Sequence, residues 1–486
     1  MLLRNTRVSG GTGEPVDIRI ENGIITGIGP SGESGPSGDD TRDLGGRWLS
    51  PGLWDNHVHF SQWALVQQRL DVSSAGSARE AVAMVAAAIE AADADPGSTS
   101  PFIGYGFRDA LWRDEATVEA LDALGGQRPI VLVSGDLHAV WVNTAALSLY
   151  GHLGHTGMLV EEPAFEITRR LGIVDDAQLD RWVDAAARHA ASRGVVGIVD
   201  LEMAWSLENW TRRIAGGTRS LRVEFGVYAQ HLERAVALGL RTGDRVNDLL
   251  TVGPLKLISD GSLNTRTAFC FDAYPGREGE ENSHGLLTLP PDELLPLMRG
   301  GVAAGIVPTV HAIGDHANSL ALDAFAELGV RGRIEHAQLL AATDLLRFAE
   351  LGVVASVQPD HALDDRDVAE HHWAGRTDRA FALRSLLDSG ATLAMGSDAP
   401  VSPLDPWVTI AAAVSRSRGD REPWHPEQRI TVAEALAAST RTTVAVGQRA
   451  DLIVTGIDPL AADVDSLRRL GVAATLLGGE FTHDTL

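Results

Sequence analysis

Six polar side chains sit where short apolar runs end. They are His57 and His59 in WLSPGLWDNHVHF, Lys256 in VGPLKLISDG, His311 in TVHAIGDH, His336 in IEHAQ and Asp398 in GSDAP. Imidazole nitrogen and carboxylate oxygen form the donor set of Zn2+ and similar divalent ions. His57 and His59 stand two apart, so on a strand both imidazoles share a face. Lys256 is the odd member, because an ammonium repels a cation. It is also the single lysine among 41 Lys and Arg residues, the others all being arginine. A neutral amine can capture CO2 as a carbamate, an anionic two-oxygen group able to bridge two ions. A guanidinium stays protonated and cannot. A sequence that uses arginine everywhere else keeps a lysine where a free amine is the reactive group.

These residues need elements that bring them together. Apolar, β-rich runs are read at 53–59, 195–201, 221–229, 252–259, 306–312, 332–337, 352–358 and 392–397. Helical patterns lie between them at 177–193, 205–215, 231–240, 292–304, 317–329, 341–350 and 378–390. Eight strands each followed by a crossover predict an α/β fold, a parallel (β/α)8 barrel of the TIM type. Active sites of such barrels lie at the C-terminal mouth, where all six residues fall. A doubly wound open sheet is the alternative, and no GxGxxG loop supports it. The barrel is assigned to 53–446. It includes an α+β insertion after the first strand, 61–176, with helices at 79–92, 115–124 and 143–149 and a strand at 130–134, read as a lid. Residues 1–52 and 447–486 are β-rich, with a hairpin at 16–29 turning on Asn22-Gly23, a Gly/Ser/Pro/Asp loop at 30–40, and strands at 450–456 and 474–483. They are expected to pair into one small β-sandwich.

Composition narrows the function classes. The 486 residues carry a net charge of −24, which argues against nucleic acid or an anionic membrane as partner. No apolar run approaches the ~18 residues of a membrane span. The single cysteine, Cys270, excludes an intrachain disulfide framework and fits a reducing, cytoplasmic setting. The first residues, MLLRNTRVSGG, lack the apolar core of a secretory signal. The expected partner is a small-molecule substrate, and a homodimer is the expected assembly.

The six residues and their flanking wording (SPGLWDNHVHF, GDLHAVWVNTAAL, LKLISDGSLNTRTA, HAIGDHAN, RIEHAQ, GSDAPVSPLDP and RADLIV) resemble the amidohydrolase superfamily. Within it they resemble the amidohydrolase-3 branch, which includes N-substituted formamide deformylases. The match runs from about residue 16 to 478, with the stretch 151–165 shorter than usual for the branch. The resemblance implies a metal-dependent barrel, a sandwich from both chain ends and an insertion after the first strand. It implies two divalent ions, Zn2+ first among the candidates, with His57, His59, Lys256 and Asp398 on one and Lys256, His311 and His336 on the other. Lys256 would carry a CO2-derived carbamate. The implied reaction is hydrolysis of a non-peptide C–N bond (amide, formamide, carbamate or cyclic amide) by a metal-bridging hydroxide, with Asp398 moving the proton to the leaving amine. His138, in the insertion, is a candidate to bind substrate or its oxyanion. Asp260 and Arg266, which follow the lysine strand, are candidates for substrate contact or for a pair with each other. Trp54, Phe60, Trp63, Trp112 and Trp141 suggest an apolar mouth and a substrate with an apolar or aromatic group. The rival functions are a mononuclear deaminase, a lactone or ester hydrolase on the same site, and a non-catalytic scaffold.

Overall fold

The computed structural model describes residues 1–32, 40–91, 101–110, 112–124, 128–171 and 173–486. Most of the loop read at 30–40, namely 33–39, and the last residue of the helix read at 79–92 lie outside the described residues. Eight parallel strands form the central sheet: β1 (Leu53–Val58), β2 (Val195–Asp200), β3 (Arg222–Tyr228), β4 (Leu250–Ile258), β5 (Pro308–Ala312), β6 (Gly332–His336), β7 (Val353–Val357) and β8 (Leu393–Met395). They pair in chain order from β1 to β8. All eight coincide with the runs read from sequence. Such strands are buried on both faces, which is why they read as near-continuous apolar runs. Outward residues such as Phe225, Leu257, Val310 and Ile334 pack against helix residues including Ala187, Met298, Leu322 and Phe325 in one core.

The last strand nearly closes on the first. Its seam is a bridge between Val58 and Ala399, with Asp398 N donating to His57 O at 2.7 Å and His59 N to Ala399 O at 2.8 Å. Asp55 strengthens it by accepting from Ser397 N (2.9 Å) and His57 N (3.2 Å).

One irregularity decides where the lysine points. On β4, Val252 pairs with Phe225 and Leu255 with Val227, so β4 carries one residue more than β3 between these pairs. The extra residue is absorbed at Gly253-Pro254, where a proline cannot donate to the ladder. A side chain at 253 would bring Cβ to 2.6 Å from Phe225 O, so the bulge needs glycine there. Leu250 and Val252 face the helices before the bulge, and Leu255 and Leu257 face them after it. The bulge thus changes the parity and turns Lys256 into the barrel.

The chain ends form a separate sheet. Strands Leu2–Val8, Val16–Glu21, Ile24–Pro30, Thr41–Asp43 and Trp48–Pro51 join Leu452–Thr455, Val472–Leu477 and Glu480–Asp484. The two chain ends meet where Trp48–Pro51 runs antiparallel to Leu452–Thr455. Leu3, Ile18, Ile20 and Ile25 share one core with Leu452, Val454 and Leu476. The hairpin turns on Asn22 (φ 50°) and Gly23 (φ 78°), the geometry its Asn-Gly dipeptide favours.

The insertion has its own five-stranded sheet, in the order Met158–Val160, Ala139–Val142, Ile130–Ser134, Phe102–Phe107 and Leu70–Asp71. Only Ile130–Ser134 was expected there as a strand. The others are two to six residues long, and Gly104 and Gly106 interrupt the pattern of Phe102–Phe107. The insertion reaches the mouth through Arg108, which pairs with Asp364 at 2.8 Å, and through Tyr105, whose hydroxyl donates to Pro400 O. Among the described residues no helix is long and apolar enough to cross a membrane.

The end sheet is tied to the barrel by a bidentate ion pair whose carboxylate is buried and whose guanidinium is partly exposed. Arg222 of β3 reaches Asp451 through Nε (2.8 Å) and a terminal nitrogen (3.0 Å), and Asp451 also accepts from Gly478 N at 2.6 Å. Asp451→Ala removes the partner of the guanidinium and of Gly478 N, so the expected cost is about 1–3 kcal/mol, read as a lower urea midpoint of unfolding.

Candidate metal centre at the barrel mouth

Lys256, His311 and the two histidines of HVH reach the mouth from strand ends, as alternation and the bulge dictate. His336 and Asp398 do not follow alternation. Glu335 takes the inward position on β6, and His336 is re-aimed by a left-handed backbone (φ 73°), followed by Ala337 at 43°. Asp398, just beyond β8, is also left-handed, at 58°. Non-glycine residues adopt this region at a cost of order 1–3 kcal/mol each, and such strain concentrates at functional sites.

The result is a tight buried cluster. His57 Nε2 and His59 Nε2 each lie 3.3 Å from Asp398 Oδ1. Around a tetrahedral ion with bonds of about 2.0–2.1 Å, neighbouring donors stand about 3.4 Å apart, so these three fit one ion. The His336 ring lies 5.1 Å from that of His57 and 4.5 Å from that of His311. Buried His336 Nδ1 and Asp398 Oδ1 have no hydrogen-bond partner, as expected of atoms with another task.

Electrostatics set the protonation states. Burial pushes the Lys256 ammonium down, against Glu335 and Asp398, which favour its charge. Burial, helped by Lys256, also lowers His57 and takes His311 down to about 3, leaving these imidazoles neutral as a metal requires. Burial would raise Asp398, but His57, His59 and His336 hold it well below the usual carboxylate range.

Two site residues escaped the sequence reading. Glu335 is fully buried, and its Oε2 lies 2.8 Å from His57 Nδ1. That contact makes Nδ1 the proton-bearing nitrogen and leaves Nε2 to face Asp398. Its Oε1 accepts from Thr309 at 2.6 Å and lies 3.2 Å from Arg333 Nε. The signal was present in IEHAQ, where a glutamate beside a candidate ligand has little reason to be buried otherwise. His361 begins a helix, His361–His372, that was not read between β7 and the next helix. Its composition, HALDDRDVAEHH, shows no apolar stripe.

The remaining candidates divide. His138 sits on the insertion, its Nδ1 3.1 Å from Glu161 Oε2. Burial opposes its charge, but Glu161 and Asp136 raise its pKa. Glu161 also accepts from Thr267 at 3.1 Å, so this pair joins the insertion to the loop after β4. Asp260 and Arg266 do not pair. The Asp260 carboxylate accepts from the backbone N–H groups of Phe269, Ile313 and Gly314 at 2.9–3.0 Å and lies 3.4 Å from His311 Nε2, while Arg266 is exposed. Asp260 therefore holds the loop that follows His311. A Cβ on Gly314 would lie 2.0 Å from Phe269 O, so that loop tolerates only glycine.

The aromatic residues offered for an apolar mouth are elsewhere. Trp54 packs on Val196 and Leu477, toward the end sheet. Phe60 and Trp63 belong to the main core. Trp112 and Trp141 pack with Phe107 inside the insertion. Each is apolar enough to be drawn into the nearest core, and the groups that surround the site are polar.

A family model described as "Amidohydrolase family" matches residues 40–483. The chain is 29% identical to "Protein LONG AFTER FAR-RED 3" of Arabidopsis thaliana, over 95% of this chain and 87% of that protein. It is 25% identical to the N-substituted formamide deformylase of Arthrobacter pascens, over 91% of this chain and 89% of that enzyme. Its fold matches an uncharacterized metal-dependent hydrolase from Pyrococcus horikoshii with a TM-score of 0.77, 23% identity, and 96% and 99% of the two chains covered.

The contact between Glu335 and His57 makes a prediction. Glu335→Gln keeps the size of the side chain but removes the anion that orients and enriches His57. Metal affinity is expected to fall about 10–100-fold, measured by chelator competition, with the far-UV spectrum unchanged.

Proposed function

The chain belongs to the amidohydrolase family and is a metal-dependent hydrolase of carbon–nitrogen bonds; from that premise we propose that it cleaves an amide, formamide, carbamate or cyclic amide in a small molecule, using two ions joined by a carbamylated Lys256. The observation that carries this reading is the buried Lys256, whose charge opposes protonation of His57, His59, His311 and His336 alike. A permanent ammonium has no use in such a set, whereas an anionic carbamate completes it. Its neutral Nζ would add to the carbon of CO2: an N–C bond forms as one C=O π bond opens onto oxygen, and an N–H proton leaves to solvent. His57, His59 and Asp398 would share one ion with Lys256, and His311 and His336 would share the other.

When bound, the ions would lower the pKa of a coordinated water toward ~7 and polarise the scissile carbonyl. The chain's own residues do the rest. Asp398, an anion across the working pH range, accepts the proton of the attacking oxygen and returns it to the leaving nitrogen. Glu335 fixes His57 in one tautomer, and Asp260 steadies His311 from behind. His138, on the insertion, would meet the substrate, with Glu161 holding its orientation. A mononuclear deaminase is disfavoured, because one ion gives Lys256 no bridging task.

Elemental analysis of protein purified without chelator is expected to give about two zinc-like ions per chain. Lys256→Arg is expected to retain at most one, since its side chain cannot form the bridge. A wild-type chain holding one ion or none would overturn the two-ion reading. Asp398→Asn should keep metal but lose ~100- to 10,000-fold in turnover on whichever N-formyl or N-acyl amine the wild type hydrolyses. Substantial activity in that variant would remove Asp398 from the proton path.

A further inference from the structure

Strand β7 supplies none of the six residues recognised from sequence, yet the chain leaving it carries a histidine to the mouth. His361 is buried, at 6% exposure. Its ring stacks on that of His336, with centroids 6.2 Å apart and planes 17° from parallel. Its Nε2 is buried without a hydrogen-bond partner and lies 4.0 Å from Asp398 Oδ2.

That distance discriminates between roles. It is too long for a hydrogen bond, which needs about 2.7–3.2 Å. Donor atoms of His336, His361 and Asp398 lie within 4.8 Å of one another, but the His361–Asp398 distance is long for two ligands of one tetrahedral ion. His57 and His59 approach Asp398 to 3.3 Å, close to the tetrahedral spacing of about 3.4 Å, while 4.0 Å nears the ~4.2 Å of donors on opposite sides of an ion. The gap does fit one light atom hydrogen-bonded to both side chains at about 2.8 Å. Because Asp398 accepts, that atom bears a proton. Because it also faces Nε2, it takes a hydrogen bond from the imidazole.

We propose that His361 is a catalytic residue that donates a hydrogen bond from Nε2 to the oxygen whose proton Asp398 accepts. This is the attacking oxygen before the new bond forms and the hydroxyl of the tetrahedral carbon afterwards. The inference rests on the metal-hydrolase reading above and adds to it a contact from the chain leaving β7, beside the one that Gln358 Nε2 makes with His57 Nδ1 at 3.4 Å. The placement is rigid. His361 opens its helix and is clamped on both sides in sequence: Asp360, just before it, meets Arg418 at 2.7 Å, and Asp364, in the first turn, meets Arg108 of the insertion at 2.8 Å. A donor held this way needs no reorganisation when the tetrahedral species appears.

Inorganic phosphate, a tetrahedral oxyanion with a protonated oxygen, is the probe. Zinc-loaded wild type, His361→Phe and His361→Gln are compared by calorimetric titration with phosphate, and the metal content of the same samples is measured. Phenylalanine keeps the stack on His336 and loses the donor; glutamine restores an N–H near the position of Nε2. The expected result is equal metal content in all three, phosphate affinity about ten- to a hundredfold weaker in His361→Phe, and most of it recovered in His361→Gln. Loss of an ion from His361→Phe would overturn the proposal by making His361 a ligand. Equal phosphate affinity in all three, or no phosphate binding by a wild type that holds its ions, would overturn it as well. A wild type that takes up no zinc would instead sink the metal-hydrolase reading, and this inference with it.

Discussion

Glu335 is the buried charge around which the barrel interior is arranged. Its two oxygens serve His57, Thr309 and Arg333, and against burial Arg333, the His57 contact and Lys256 hold its carboxyl well below the usual range. Without it, a lysine and an arginine would face the same closed space with only Asp398 to answer them. An isolated buried charge is costly and is retained only when paired and hydrogen-bonded. Below it the pattern continues: Arg333 donates to Asn56 O and Ser356, and Arg441 pairs with Glu224 and donates to Asn56 Oδ1. The barrel is thus filled by alternating charges, and its mouth is the open end of that stack.

The second organising fact is that the site depends on departures from regular strand geometry. A strand offers every second side chain to one face, and three site residues reach the interior by breaking that rule. Lys256 does so through the extra residue at Gly253-Pro254, and His336 and Asp398 through left-handed backbone at strand ends. Regular alternation on β6 would present Glu335 to the mouth and turn His336 away from it. The left-handed turn lets two consecutive residues act inward, one as the ligand candidate and one as its neighbour's support.

This division explains what was legible in the sequence. The eight barrel strands were readable because parallel strands buried on both faces leave continuous apolar runs. The six polar residues were readable because they interrupt the ends of those runs, and the lone lysine because its chemistry differs from arginine's. The Asn22-Gly23 hairpin was readable from its turn. Glu335 was passed over because a glutamate in a strand carries no mark of burial until its partners, distant in sequence, are known. His361 was passed over because its helix has no apolar stripe to announce it. The aromatic residues misled for a related reason: Trp54, Trp112 and Trp141 say that a core is near, not which core. The strands of the insertion are short, and their pairing partners lie far along the chain.

The seam between the first and last strands bears a further meaning. His57, His59 and Asp398 are the residues whose backbones close the ring, through two short hydrogen bonds, and their side chains converge on one point just above it. An ion seated there would act as a clasp, fastening the two ends of the barrel's chain as a cross-link does. The ring and such an ion would then stabilise each other: whatever drew the ion away would loosen the closure, and whatever spread the closure would scatter the ligands. Chemistry and architecture in this chain share a single fastening.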